Sequence, residues 1–298
     1  MAREQSLDRP RSKVLNSKGS LVRLQLHGVR GSRIVPGPDY VRYGGNTSCV
    51  SLARGDAAPT LVLDAGSGLS SLTELLRGRP LDGSILLSHL HWDHVYGLPF
   101  FRAGDRPDAR VDLYLPGQGD AEAVLEQMMS PPHFPISPSG LRGAWSFHSI
   151  ETGWHEIERF DVLAVEIPHK GGRTFGYRVE TNRASVVYMP DHGPVEWGEG
   201  NDGLGVVHAA ALELCQGADL LLHDAQHTVE EFPAVRHFGH STIDYAVTLA
   251  RHADVRKLVL FHHDPDRVDD ELDRIAERMS TLDIDVVVAR EGDVYEVT

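Results

Sequence analysis

The hexapeptide His89-Leu90-His91-Trp92-Asp93-His94 follows directly on the apolar run Ile85-Leu86-Leu87-Ser88. Metal-type ligands this dense at the end of a buried strand constrain the fold. One edge of a sheet must be rigid, polar and closed over by segments distant in sequence. Side chains alternate along a strand, so His89, His91 and Asp93 are expected on one side, and a helix beginning after Asp93 brings His94 to the same cavity. Two histidines and an Asp-His pair can then feed two adjacent cations. The alternative, a solvated polar loop, needs no partners elsewhere, whereas a dinuclear site does.

Three isolated ligand-type residues supply those partners. His169 follows the alternating run Val162-Leu163-Ala164-Val165-Glu166-Ile167, Asp191 ends Ser185-Val186-Val187-Tyr188-Met189-Pro190, and His262 ends Lys257-Leu258-Val259-Leu260-Phe261. Each stands where an apolar strand gives way to a loop.

This order of parts resembles the metallo-β-lactamase-fold metallohydrolases from about residue 21 to the C-terminus: Asp64 in Leu61-Val62-Leu63-Asp64-Ala65-Gly66, then His89-x-His91-x-Asp93-His94, then His169, Asp191 and His262. His169 leading into Gly176-Tyr177-Arg178, and Gly239-His240-Ser241-Thr242 ahead of His262, resemble the phosphodiesterase branch. That branch includes tRNA 3′-processing endonucleases and the cyclic-phosphate phosphodiesterases of phosphonate metabolism. The resemblance implies that His89, His91 and His169 hold one metal and that Asp93, His94 and His262 hold the other, with Asp191 and a hydroxide bridging them. Nitrogen and carboxylate ligands without thiolate suit Zn²⁺ first, then Mn²⁺ or Fe²⁺. Two such cations polarise a phosphodiester and make hydroxide available near neutral pH, so the expected chemistry is hydrolysis.

Other residues take supporting roles in this picture. Metal-bound imidazoles usually donate their remaining N–H to a carboxylate, and Asp64 is the candidate; its alternative is a turn aspartate capping the helix that begins near Leu69. His240 is the expected proton donor to the leaving alkoxide, paired with Asp224, and Asp93 is counted with them as catalytic as well as ligating. His192, His223, His227, His237 and His263 lie near the motifs, each more simply read as a supporting or surface histidine. Arg30 and Arg33, in Gly28-Val29-Arg30-Gly31-Ser32-Arg33, could offer a guanidinium to substrate phosphate.

Strand-like runs near 21–27, 47–53, 60–64, 84–88, 143–148, 153–158, 161–168, 174–181, 184–189, 219–223, 257–261 and 284–289 predict an α/β protein. Helices are expected near 68–78, 119–129, 204–214, 241–253 and 266–281. The pattern fits an αββα sandwich, two mixed β-sheets face to face with helices outside. Ligands spread from His89 to His262 imply a single domain over 21–298, with residues 1–20 a flexible polar tail. The proline-rich segment 130–138 can be neither helix nor central strand and is a candidate lid or a plain surface connection. Two cysteines, Cys49 and Cys215, without metal-type spacing point to a reducing compartment. The polar N-terminus and the lack of a long apolar run exclude a secretory signal and a spanning helix, so a cytoplasmic protein is expected.

The formal net charge of −14 repels polyanions, and only twenty-one residues separate His169 from Asp191, where tRNA-processing members of the branch usually carry a tRNA-gripping arm. A small phosphodiester is therefore the expected substrate and extended nucleic acid is not; a homodimer is the assembly that would bring an arm from elsewhere. A tRNA 3′-processing endoribonuclease stays as an alternative, as does a lactonase or thioesterase of the same fold without use for His240. A diiron oxidoreductase of the superfamily would usually carry Glu at His91, and a non-enzymatic metal-binding protein is disfavoured by the full ligand set.

Overall fold

The computed structural model describes residues 21–298, so the tail expected over 1–20 lies outside the described residues. Two seven-stranded sheets form the centre. The first runs, in spatial order, β14 (Val294–Val297), β1 (Val22–Gly28), β2 (Cys49–Arg54), β3 (Leu61–Leu63), β4 (Asp82–Leu86), β5 (Arg110–Pro116) and β6 (Ala144–Ile150). The second runs β13 (Asp285–Val288), β12 (Lys257–Phe261), β11 (Leu220–Asp224), β10 (Ser185–Met189), β9 (Phe175–Glu180), β8 (Phe160–Glu166) and β7 (Gly153–Ile157). Each sheet is mixed: antiparallel pairing gives way to parallel pairing at β3–β4 in one and at β10–β11 in the other. This is the expected αββα sandwich.

Alternation along the strands explains how unbroken apolar runs become buried on both faces. Val186 and Tyr188 of β10, Leu222 of β11, and Val259 and Phe261 of β12 point inward to the layer between the sheets, where they meet Leu24, Leu52, Leu63 and Leu86. Their neighbours Val187, Met189, Leu221, Leu258 and Leu260 point outward beneath the helices α4 (Ala209–Cys215), α6 (Ile243–His252) and α7 (Asp269–Met279). Leu272, Ile275 and Met279 give α7 a buried stripe at helical spacing, and Asp269, Asp270 and Glu271 in its first turn complement the helix dipole. Helices α1 (Leu69–Leu75) and α3 (Ala121–Glu126) cover the other sheet with α2 (Trp92–Val95), a single turn, while α5 (Phe232–Val235) is a second one-turn helix.

Several boundaries differ from those expected. The helix expected over 204–214 begins only at Ala209, where the His208 imidazole accepts the N–H of Ala211 and so caps it. The candidate lid, 130–138, lays Phe134 edge-on against Phe100, whose ring in turn meets Tyr96. Strands β5 and β14 lie outside the predicted set, although Val111, Leu113 and Leu115 alternate as a strand requires and are buried. Among the described residues no helix is long and apolar enough to cross a membrane.

Candidate metal centre

The hexapeptide reaches the site by a route other than strand alternation. Strand β4 stops at Leu86; His89 and His91 stand on an irregular turn, and Asp93 and His94 lie on α2. That one helical turn brings Asp93 and His94 to face His262, just past β12, as a group that could hold a metal ion. His89 and His91 meet His169, beyond β8, and Asp191, beyond β10, in a second such group. His169, Asp191 and His262 lie at loop ends of strands, and Asp191 and His262 follow parallel strands, where open α/β sheets place their clefts.

Asp191 belongs to both halves. Its Oδ2 lies 3.4 Å from His169 Nε2 and 3.7 Å from His89 Nε2. Its Oδ1 lies 3.0 Å from His94 Nε2 and 3.2 Å from His262 Nε2. Asp93 Oδ2 completes the second group, 3.2 Å from His262 Nε2 and 3.3 Å from His94 Nε2. His91 enters the first through Nδ1, 3.3 Å from His169 Nε2, while its Nε2 faces Gly171, where an added Cβ would sit 2.6 Å away.

Outer hydrogen bonds aim these rings. His94 Nδ1 donates to Asp64 Oδ2 at 2.6 Å, and His169 Nδ1 donates to the Gly239 carbonyl at 2.7 Å, so each ring turns its Nε2 inward. Asp64 is fully buried and also accepts from Ser88 N, Ser88 Oγ and Tyr188 OH. The helix cap considered for it is absent, since α1 starts at Leu69 with Gly68 at its N-cap and no side-chain cap. Ser32 contributes its backbone N–H to Asp93 Oδ2 at 2.7 Å. His262 sits at φ 57°, a strained value for a non-glycine residue, and Gly31 packs flat against its ring.

Burial and mutual charge set the protonation of these groups. Burial, reinforced by His94, holds the His89 imidazole well below its usual range, and burial pushes His169 down to about 4. Burial opposes the ionised forms of Asp93 and Asp191, yet His94 (and for Asp191 also His262) outweighs it and holds both carboxyls well below their usual range. Burial likewise works against charge on His94, but Asp191, Asp93 and Asp64 converge on that ring and push it upward. Among the described residues, His89 Nε2, His94 Nε2 and Asp191 Oδ1 are buried without a hydrogen bond. His94 Nε2 and Asp191 Oδ1 nonetheless lie only 3.0 Å apart.

His240 borders both halves, its ring 5.1 Å from His262 and 5.0 Å from His169. Its Nδ1 donates to Asp224 Oδ2 at 2.9 Å, and no hydrogen bond among the described residues uses its Nε2. Burial works against its charge, but Asp224 prevails and raises it. Asp224 is itself fixed by the backbone N–H groups of His192, Ser241 and Gln226.

Arg30 does not offer its guanidinium to a substrate phosphate as expected. Arg30 is fully buried, its guanidinium donating to the carbonyls of Gly44, Asp264 and Arg267 and pairing with Asp269, so it ties the N-terminal loop to α7. Arg33 is exposed and paired with Asp266. The loop's contribution is instead Gly31 and the Ser32 amide. Nothing in the spacing of the sequence marks either, because one acts by lacking a side chain and the other through its backbone.

A family model described as "Beta-lactamase superfamily domain" matches residues 60–263, which span all seven residues of the two groups. The chain belongs to the beta-lactamase superfamily. Within it, the chain is 30% identical over 220 residues to "Ribonuclease Z" of Lactococcus lactis subsp. lactis (strain IL1403), covering 60% of this chain and 69% of that protein. Among solved superfamily folds, a diphosphatase from the PhnP family superposes with a TM-score of 0.68 at 20% identity, over 93% of this chain and 97% of the other. The metallo-beta-lactamase fold protein YhfI from Bacillus subtilis gives 0.67 at 20% identity, over 93% and 99%. These two likenesses establish the metallo-beta-lactamase fold.

Proposed function

We propose that this chain is a dinuclear metal-dependent phosphodiesterase acting on a small or cyclic phosphodiester, with residues 21–298 as one hydrolase domain. The observation that carries it is Asp191, which turns one oxygen to each of two ligand groups. His89, His91 and His169 would hold one divalent cation, Asp93, His94 and His262 the other, and Asp191 both; Zn²⁺ suits this donor set first. When bound, such cations neutralise phosphate charge and lower the pKa of water to the neutral range. The chain's own residues do the rest. Asp224 holds the His240 ring so that Nε2 can deliver a proton to the departing oxygen, and Asp64 keeps the His94 proton on Nδ1.

Phosphodiester chemistry is supported by the relatives named ribonuclease Z. The preference for a small substrate rests on two features. The interval between His169 and Asp191 is taken up by β9, β10 and the short turn joining them, which leaves no arm, and the net charge is −14. Unpaired, buried Cys49 and Cys215 fit a cytoplasmic protein. The test compares kcat/KM of the metal-loaded enzyme for bis-p-nitrophenyl phosphate and a cyclic nucleotide with that for a 3′-extended tRNA precursor, at one physiological salt concentration. Faster, specific cleavage of the precursor would replace this assignment with tRNA 3′ processing.

A further inference from the structure

Two mirrored dipeptides end neighbouring parallel strands: Asp191-His192 just beyond β10 and His223-Asp224 at the end of β11. Adjacent residues there point to opposite faces, so the two carboxylates face the cavity while the two imidazoles face the helix layer behind it. Behind the sheet they join a third. His192 Nδ1 lies 2.9 Å from His223 Nε2, and His192 Nε2 lies 2.8 Å from His208 Nε2. All three side chains are buried, with Tyr245 packed on the first two and Trp197 over His208.

The protons in this chain can be placed from its ends. His223 Nδ1 is 2.7 Å from the Asp224 carbonyl, which can only accept, so that nitrogen carries hydrogen and His223 Nε2 accepts from His192 Nδ1. His192 Nε2 must then accept from His208 Nε2, leaving His208 Nδ1 without hydrogen. The far end requires the same, because His208 Nδ1 accepts the N–H of Ala211. Both termini impose one polarity. Three neutral imidazoles, each in a single tautomer, therefore run from the start of α4 to the backbone of Asp224.

The same turn holds the catalytic dyad. His192 N–H donates to Asp224 Oδ2 at 3.0 Å, and the His192 carbonyl accepts from Ser241 Oγ at 2.6 Å; Ser241 N–H also donates to Asp224 Oδ2. The chain ends on a carbonyl, not on a titrating group, so its polarity suits anchoring and not proton transport. We infer that His208, His192 and His223 are positioning residues: their hydrogen-bonded chain fixes the turn that carries Asp191 and His192 against Asp224, and so aims the His240 imidazole. This rests on the assignment of His240 as proton donor in phosphodiester hydrolysis.

His208→Asn tests it farthest from the metal groups. Asparagine preserves the helix cap but is too short to reach His192, so only the outer link is lost. For a diester with a poor alkyl leaving group, kcat of the metal-loaded variant should fall on the order of ten-fold, with KM and metal content unchanged. Bis-p-nitrophenyl phosphate, whose leaving group needs little protonation, should lose no more than two-fold. An equal loss on both substrates, or no loss on either, overturns the link to His240. Nitrogen-15 NMR of the unmutated holoenzyme gives a readout independent of turnover: His192 and His223 should be neutral with hydrogen on Nδ1 and His208 neutral with hydrogen on Nε2. Any other tautomer set overturns the chain itself. His240→Ala is the control that separates the two ideas: if it too shows no dependence on leaving group, the proton-donor assignment fails and the positioning role falls with it.

Discussion

Asp64 Oδ2 accepts the Nδ1 proton of His94 at 2.6 Å, and this one bond decides which nitrogen of His94 faces the two carboxylates of the site. An asparagine at 64 must keep its oxygen toward the Ser88 amide, which can only donate, and so turns its NH₂ toward His94. His94 would then accept at Nδ1 and carry its proton on Nε2, where a metal should bind. Asp64→Asn should lower metal affinity about 10- to 100-fold with the fold retained. Competition with a chromophoric chelator measures it, and an affinity equal to that of the parent would refute the role.

Gly31 makes a second case for shape near a ligand. His262 Nε2 bonds to Asp93 Oδ2 at 3.2 Å, but its Nδ1 has no hydrogen-bond partner among the described residues, so packing orients that edge of the ring. A Cβ at residue 31 would lie 2.6 Å from both His262 Cε1 and Nδ1. Gly31→Ala should therefore displace His262, weakening the Asp93–His94–His262 site by ten-fold or more while changing global unfolding little. Equilibrium dialysis resolved into two binding steps would detect this, and two unaltered steps would show that the ring tolerates the contact.

The candidate ligands were legible in the sequence because a metal site needs particular side chains, and seven such residues close after strands have few other uses. His89, His91, Asp93, His94, His169, Asp191 and His262 all fall within the two groups. The route of the chain was less legible. Alternation from Ile85 through Asp93 assumes a strand that continues to Asp93, whereas β4 stops at Leu86 and the turn at Ser88, bonded to Asp64, intervenes. Arg30 reads like a phosphate ligand because its burial beneath α7 depends on carbonyls of residues 44, 264 and 267, contacts that no local pattern encodes. Strand β5 carries a clear alternation in Val111, Leu113 and Leu115, but it follows a long irregular segment and ends at a proline. His192, His208 and His223 look like scattered histidines until β10 and β11 lie side by side.

His27 offers a test of stability against pH, away from the metal groups. It is buried between β2 and α1, with Nε2 on Ser51 Oγ and Nδ1 on Ser71 Oγ, and burial pushes it down to about 4. The unfolded chain, with an ordinary histidine, takes up a proton first as pH falls. The neutral ring's contribution is thus complete above about pH 6.5 and is lost progressively down to about pH 4, by roughly 3 kcal/mol at 1.36 kcal/mol per pKa unit. His27→Gln removes that titration. Urea unfolding at pH 7 and pH 4 should show the parent losing more stability than the variant by about that amount, and a constant difference between the two proteins would count against a depressed His27.

His240→Ala separates phosphodiester cleavage from the other hydrolyses this ligand set could support. The ring packs on His262 and His169, but its Nδ1 is committed to Asp224, which leaves Nε2 as the nitrogen available to a substrate oxygen. A departing alkoxide needs that proton far more than a nitrophenolate does, so the cost of losing it should grow with the pKa of the leaving group. For an unactivated phosphodiester the variant should lose on the order of 10²–10⁴ in kcat, while bis-p-nitrophenyl phosphate turns over within a few-fold of the parent. Metal content, measured by elemental analysis, should remain at two ions per chain. Equal losses on both substrates with metal missing would make His240 part of the metal-holding structure, in line with its place beside Asp191 and His262. Unchanged turnover of the unactivated diester would remove the proton donor altogether and return the lactonase or thioesterase chemistry to consideration.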